Sequence, residues 1–219
     1  MNPHSQMLQK TSVIYAKTGP AIYHSHHDMI RFWERAVKRA RLPLRLTQGF
    51  NPRPRIIFPH ALGLGITSLH EEVELELHER LDLDELLERV RGAAGDTLEI
   101  KDAVALPPVK KSRQIRASTY CIAGWGGAAL DALPGIVDSI LARAEIVVER
   151  GAPDHRRSMD IRPFVGGLRL DRENAALELE LVHTLTGSAR PDEIAKLAAE
   201  AAGIDYHDLS IVKTGMILE

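Results

Sequence analysis

The stretch HSHHDMIRFWERAVKRARLPLRLTQGFNPRPR, His24 to Arg55, gathers most of the side chains that could do chemistry in this chain. His24, Ser25, His26, His27 and Asp28 are consecutive. Adjacent Ser, His and Asp are not a catalytic triad, because nucleophile, base and orienting acid converge from distant segments. No GxSxG elbow occurs either. A metal site is not read here: His24 falls before the helix, and third ligands such as His60, His70 or Asp160 would come from elsewhere. Ser25 is instead a helix N-cap, with Asp28 completing a capping box in place of Glu. That leaves His26 at the mouth of a helix, where anions bind and where a neutral imidazole serves as a general base.

The following residues are cationic. Positions 31–55 carry eight Lys/Arg against one acid, Glu34, for a net +7, whereas 71–106 carry twelve acids against four bases, for a net −8. Such asymmetry describes an oriented electrostatic surface. In the loop QGFNPRPR, Gly49 permits positive φ, and Pro52 and Pro54 stiffen the chain around Asn51. A rigid loop presenting Gln48, Asn51, Arg53 and Arg55 beside a helix N-terminus is a phosphate cradle, and Arg offers bidentate recognition. His26 and this loop are expected to line one polar site. Arg31, Arg35, Lys38 and Arg39 on the helix extend it, Lys17 ends the preceding strand, and Arg162 is a further candidate. The anion-binding set is thus Lys17, His26, Arg31, Arg35, Lys38, Arg39, Gln48, Gly49, Asn51, Arg53, Arg55 and Arg162. Asp160 and Arg162, two apart, are read onto one face of a strand.

These residues need a scaffold. SVIYAKTG is β-branched and aromatic and reads as a strand. Met29, Trp33, Ala36, Val37 and Ala40 recur at helical spacing. IIFPHAL reads as an edge strand, since Pro59 has no N–H to give a ladder. EEVELELHER alternates, placing Val73, Leu75 and Leu77 inward and Glu72, Glu74, Glu76 and His78 outward. A helix over LDLDELLERVRGAAG and a strand over TLEIKDAVALP complete β-α-β-β-α-β. The same order recurs after PPVKKSRQ, with a helix broken at Pro134-Gly135 and an extra hairpin near Asp160–Leu170. The fold class is α+β, two tandem ferredoxin-like units with antiparallel sheets: residues 10–106, a polar hinge at 107–114, and residues 115–219. No residue-level repeat is visible. LGLGIT has no following Lys and is a turn, not a phosphate loop. KTG occurs twice, at Lys17–Gly19 and Lys213–Gly215, without the partner motifs of penicillin-recognising enzymes.

The 219 residues contain one cysteine, Cys121, in an apolar run that suits a buried inert thiol. One thiol builds no disulfide, no cysteine-based zinc site and no iron–sulfur cluster. No apolar run approaches the ~20 residues that span a bilayer, and MNPHSQMLQKT lacks a signal-peptide core. A cytoplasmic protein without cofactor or metal is expected.

The segment from Tyr15 to Ser68 resembles the N-terminal half of the radical-SAM-linked protein family, a domain family of unknown function fused to or encoded beside a radical SAM protein. Its K-x-G strand end corresponds to Lys17 and Gly19. Its S-H-x-D helix start corresponds to Ser25, His26 and Asp28, and its Q-G-F-N-P-R-P loop to Gln48–Pro54. MDIRP (159–163) and the closing VKTG also match. His27 stands where the family usually has an apolar residue, so no role is given to it. The resemblance implies a radical SAM partner, while the single cysteine excludes that chemistry from this chain. The expectation is a non-catalytic accessory module binding tRNA or rRNA for such an enzyme. An alternative follows from architecture, since tandem ferredoxin-like domains with a helix-start histidine and a basic glycine loop are similar to the metal-independent endoribonucleases that process CRISPR RNA. In that reading His26 is the general base. A pure protein–protein adaptor, docking through the acidic strand, is the third reading. The stacking aromatics of an RNA-recognition motif are absent.

Overall fold

In a computed structural model the described residues are 7–109 and 111–219. The chain is mixed α+β, with mostly antiparallel strands and, among the described residues, four α-helices. It divides into two compact units, one running to Gln114 and taking in Leu218 and Glu219, the other Ile115–Ile217.

The first unit runs β1 (Gln9–Lys17), α1 (His26–Arg39), β2 (Ile56–Ile57), β3 (Thr67–Leu77), α2 (Leu83–Ala94) and β4 (Glu99–Leu106). The strands lie in the order β4-β1-β3-β2, each antiparallel to its neighbour. Ser25 starts α1 as expected. Its Oγ accepts from the Asp28 N–H at 3.2 Å, and its own N–H donates to Asp28 Oδ2 at 3.1 Å. The apolar stripe of α1, with Trp33 fully buried, packs with Val13, Tyr15, Val73, Leu75, Leu86 and Val90 into one core. The expected strand IIFPHAL shrinks to two residues, and Pro59 lies outside it.

The outward face expected for β3 is a correction. Glu74 and Glu76 are both 0% exposed and Glu72 is buried; His78 is half-buried. The alternation is real, but its polar side meets fixed cations instead of water. Ser12 stands opposite Glu74 on β1 and Lys10 opposite Glu76. Lys10 Nζ lies 2.7 Å from Glu74 Oε2, as an ion pair outside hydrogen-bond alignment, and donates to the Lys111 carbonyl at 3.1 Å. Arg113 Nε donates to Glu74 Oε1 at 2.8 Å, and its Nη2 bonds Glu72 and, at 3.0 Å, Ser12 Oγ. Ser12 Oγ donates to Glu72 Oε2 at 2.5 Å. Arg45 Nη1 reaches Glu76 Oε2 at 2.7 Å and Arg55 Nε reaches the same oxygen at 3.3 Å. The end of the expected hinge is tied down. Arg113 is held by two carboxylates, and Gln114 exchanges two backbone hydrogen bonds with Glu219. Lys110 of the expected hinge is outside the described residues.

The second unit runs β5 (Ile115–Ala123), α3 (Gly127–Leu141), β6 (Val147–Arg150), β7 (Arg157–Asp160), β8 (Val165–Asp171), β9 (Ala176–Thr184), β10 (Gly187–Ser188), α4 (Pro191–Ala202) and β11 (Ser210–Leu218). β9 lies between β8 and β5, with β10 also on β9 and β11 beside β5. β6 and β7 form a separate hairpin. The expected break at Pro134-Gly135 does not occur, and α3 carries Pro134 in its interior. Leu133, Ile136, Val137 and Ile140 are buried on both sides of the proline, and their packing holds the helix through the missing N–H. Arg162 begins a 3-10 turn instead of continuing β7, so it shares no strand face with Asp160. Asp160 Oδ1 accepts the N–H groups of Ile146 and Arg162 at 2.8 and 3.0 Å.

Lys10→Met leaves Glu74 buried with Arg113 as its one cation. A loss of about 3–5 kcal/mol is expected, the usual cost of breaking a buried pair from one side. Lys10→Met/Glu74→Leu should be more stable than the single variant. Urea midpoints check both; an unchanged midpoint for Lys10→Met would show that the pair is not desolvated.

Candidate functional site

Candidate residues line two hollows of the first unit, Lys17 and His26 at one and Arg35, Lys38 and Arg53 at the other. One is a small cavity of about 10 Å³, room for about one water. Lys17 and His26 line it with Tyr15, Phe58, His60 and Glu71. Lys17 ends β1, past a shift in its register with β3, and lines the same cavity as Tyr15. It is 2% exposed, and its Nζ donates to the His24 carbonyl at 2.8 Å. Glu71 is buried and accepts from Ser68 Oγ at 2.8 Å. Burial lowers the Lys17 ammonium pKa from its ordinary value, while Glu71 acts to raise it. Burial first, and then Glu71, push the Tyr15 hydroxyl well above its usual range. His26 occupies the first turn of α1 with its ring edge-on to Phe58, centroids 5.3 Å apart. Burial, and then the neighbouring His27, lower its pKa, so the imidazole is neutral near neutral pH.

The other hollow is a groove of about 550 Å³ between α1 and the arm formed by residues 44–57. The arm is two short extended runs. Arg45 N–H donates to the Glu76 carbonyl at 2.7 Å, Arg55 N–H to the Arg45 carbonyl at 2.8 Å, and Thr47 N–H to the Arg53 carbonyl at 2.8 Å. Arg53 N–H returns to Thr47 Oγ1 at 2.9 Å. Between the runs lies the tip, Gln48–Pro52, where Gly49 takes φ 141° and Phe50 is fully solvent-exposed at 106%. Val37, Leu42, Leu44, Leu46 and Pro54 form the groove's apolar floor, and Glu34, Arg35, Lys38 and Arg53 its rim. Arg53 lies 3.6 Å from Glu34, both partly exposed.

His26 and the Gln48–Arg55 loop thus do not share one site. Arg53 and Pro54 of the loop line the groove, and the cavity at His26 is lined by Phe58 and His60 from beyond β2. Arg31, Arg35 and Lys38 are exposed on α1; Arg39 is exposed too, but its Nη2 donates to the Ala93 carbonyl at 2.6 Å. Gln48, Gly49 and Asn51 are exposed at the tip. Arg55 is half-buried on Glu76. Arg162, in the second unit, donates to the carbonyls of Leu141, Arg143 and Val165 at 3.0–3.2 Å, ending α3. Sequence reasoning missed Tyr15, Glu71 and Phe58 as cavity walls. Among the described residues no three His, Cys, Asp or Glu side chains are arranged to hold a metal ion, and no helix is long and apolar enough to cross a membrane. Cys121 is half-buried, and burial pushes its thiol pKa up.

The model of DUF2344, described as "Uncharacterized protein conserved in bacteria", matches residues 10–191. The chain belongs to this family. The match takes in β1, α1, the arm, both hollows and the second unit as far as the start of α4. No curated protein matches the sequence.

The His26 ring should titrate below 6.5 when followed by NMR. His27→Ala should raise its midpoint only part of the way, because burial, the larger cause, remains. A midpoint at or above the ordinary value would mean that the ring is solvated.

Proposed function

We propose that this chain is a non-catalytic RNA-binding module that serves a radical SAM enzyme in the cytoplasm, with tRNA or rRNA as its target. One observation carries the reading: Arg35, Lys38 and Arg53 stand around an apolar groove with Glu34 as the acid among them, and the exposed Arg31 extends the cationic face along α1. Phosphates are attracted to such a rim, and counterion release makes the attraction salt-dependent. The radical SAM partner rests on the resemblance of the K-x-G, S-H-x-D and Q-G-F-N-P-R-P patterns alone. The first unit runs strand, helix, two strands, helix, strand; the second adds the β6–β7 hairpin and β10 to that order, and in each the last strand lies beside the first. This order supports reading the chain as two ferredoxin-like copies, a scaffold that hosts many functions.

The neutral imidazole of His26 beside Lys17, Tyr15 and Glu71 favours a second reading, a metal-independent endoribonuclease with His26 as base. The cavity's one-water volume weighs against it.

Binding to bulk tRNA and rRNA fragments should weaken steeply with salt. Arg35→Ala/Lys38→Ala/Arg53→Ala should lower the slope of log K against log salt by about one per lost phosphate contact. No binding at low salt ends the RNA reading. RNA cleavage that is abolished in His26→Ala, with binding intact, would replace the non-catalytic reading with the endoribonuclease one.

A further inference from the structure

The groove beside α1 is more than a cationic patch. A surface that only neutralises phosphates has no use for an apolar floor, because phosphate contacts come from cations, hydroxyls and backbone N–H groups. Here Leu46 and Pro54 lie partly open to water within reach of Arg35, Lys38 and Arg53. Nucleotide sites combine an apolar seat for the base with charge at its margin, and about 550 Å³ is within the range of small-molecule sites. The arm's tip adds a second element. Phe50 is wholly exposed, so both faces of its ring are open to a stacking partner. The backbone at this tip is held by the Thr47–Arg53 hydrogen bonds behind it, by Pro52 and Pro54, and by the Arg45 and Arg55 anchors on Glu76. A loop backbone held in this way loses little freedom when a base stacks at its tip. Gln48 and Asn51 flank Phe50 with exposed amides, the side chains that pair with base edges.

We propose that this groove and the Phe50 tip bind a single-stranded RNA segment, an unpaired base seated on the Leu46–Pro54 floor and a second base stacked on Phe50. The proposal rests on the RNA-binding reading above and narrows it to unpaired nucleotides. Duplex RNA cannot supply such bases, since its base faces are stacked and its major groove is too narrow for side chains. An acidic peptide would meet the same cationic rim but has no counterpart for the ring and its amides.

The test measures binding of an oligoadenylate single strand, the same strand with one central base removed, and a blunt RNA duplex, each to wild type, Phe50→Ala, Leu46→Ala and Arg35→Ala/Lys38→Ala. Phe50→Ala alters no packing, so a folding defect cannot account for its effect. The single strand should bind at least about tenfold more tightly than the duplex. Phe50→Ala should weaken the single strand by about five- to 150-fold, the range of one base–aromatic stack, and leave the duplex unchanged. The abasic strand should bind more weakly to wild type, with a smaller difference in Leu46→Ala. Equal binding of single strand and duplex, or a Phe50→Ala affinity unchanged while Arg35→Ala/Lys38→Ala weakens both, overturns the base seat and leaves RNA binding standing. If neither RNA binds, both readings fall. A polyglutamate peptide that displaces the single strand at lower concentration assigns the groove to an acidic protein partner instead.

Discussion

Three carboxylates on one face of β3 organise the first unit. Glu72, Glu74 and Glu76 alternate with Val73, Leu75 and Leu77, and both sets are buried. A carboxylate removed from water loses several kcal/mol of hydration unless a cation meets it in good geometry. The cations that meet them come from separate parts of the chain. Lys10 comes from β1, Arg113 from the segment after β4, and Arg45 and Arg55 from the two runs of the arm. Replacing such pairs with apolar residues is often harmless, whereas breaking one side is not. What the ladder enforces is register. A slip of β3 by one residue would turn valine and leucine toward the cations and bury the acids among apolar side chains. Burial also acts on Glu72 in a direction opposite to its partners. Desolvation raises its pKa, and hydrogen bonds from Ser12, Arg113 and His70 outweigh that and hold the carboxyl below its ordinary range.

The ladder is also what gives the arm its shape. Glu76 binds both runs by side chain, and its backbone bonds Arg45 and Arg55 as well. The loop between them is therefore carried on a rigid strand, which is how a binding loop holds its geometry. Two arginines two positions apart in the arm go to different partners. Arg55 turns to Glu76, and Arg53 turns out to the groove rim. The net +7 of residues 31–55 consequently overstates the free positive surface. Arg45 and Arg55 serve the ladder, and Arg39 is tied to a carbonyl of α2. The same holds in the second unit. Arg162 ends α3, and Arg150 makes a bidentate pair with Glu193, both Nε and Nη2 lying 2.7 Å from its oxygens.

Lys17, Glu71 and Tyr15 show how a strand end becomes a polar pocket inside an apolar core. Lys17 sits just past a break in the β1–β3 register, where β1 shifts against its partner. The shift brings its ammonium back to the His24 carbonyl, just ahead of the capping box of α1. Strand end, helix start and Glu71 are thereby joined at one point. The cavity they line holds little more than a water, and the broader hollow lies between α1 and the arm.

The strand and helix order, the Ser25–Asp28 cap and the inward valines and leucines were legible in the sequence, because they depend on periodicity and on contacts within a few residues. The two faces of β3 were legible as well. Their burial was not, since alternation says which residues share a face and nothing of what meets that face; Lys10 and Arg113 are 64 and 39 positions from Glu74. For the same reason His26 and the Gln48–Arg55 loop looked like one site and line two. Proline content marked 134 as a break, but the buried stripe across it outweighed one lost hydrogen bond. The sequence by itself determined the elements, the charge excess and the exclusion of cysteine-based clusters. Tertiary structure alone decided which cations are spent on buried carboxylates and which are left facing the groove, because pairing across a sheet depends on register and distance that no local pattern encodes.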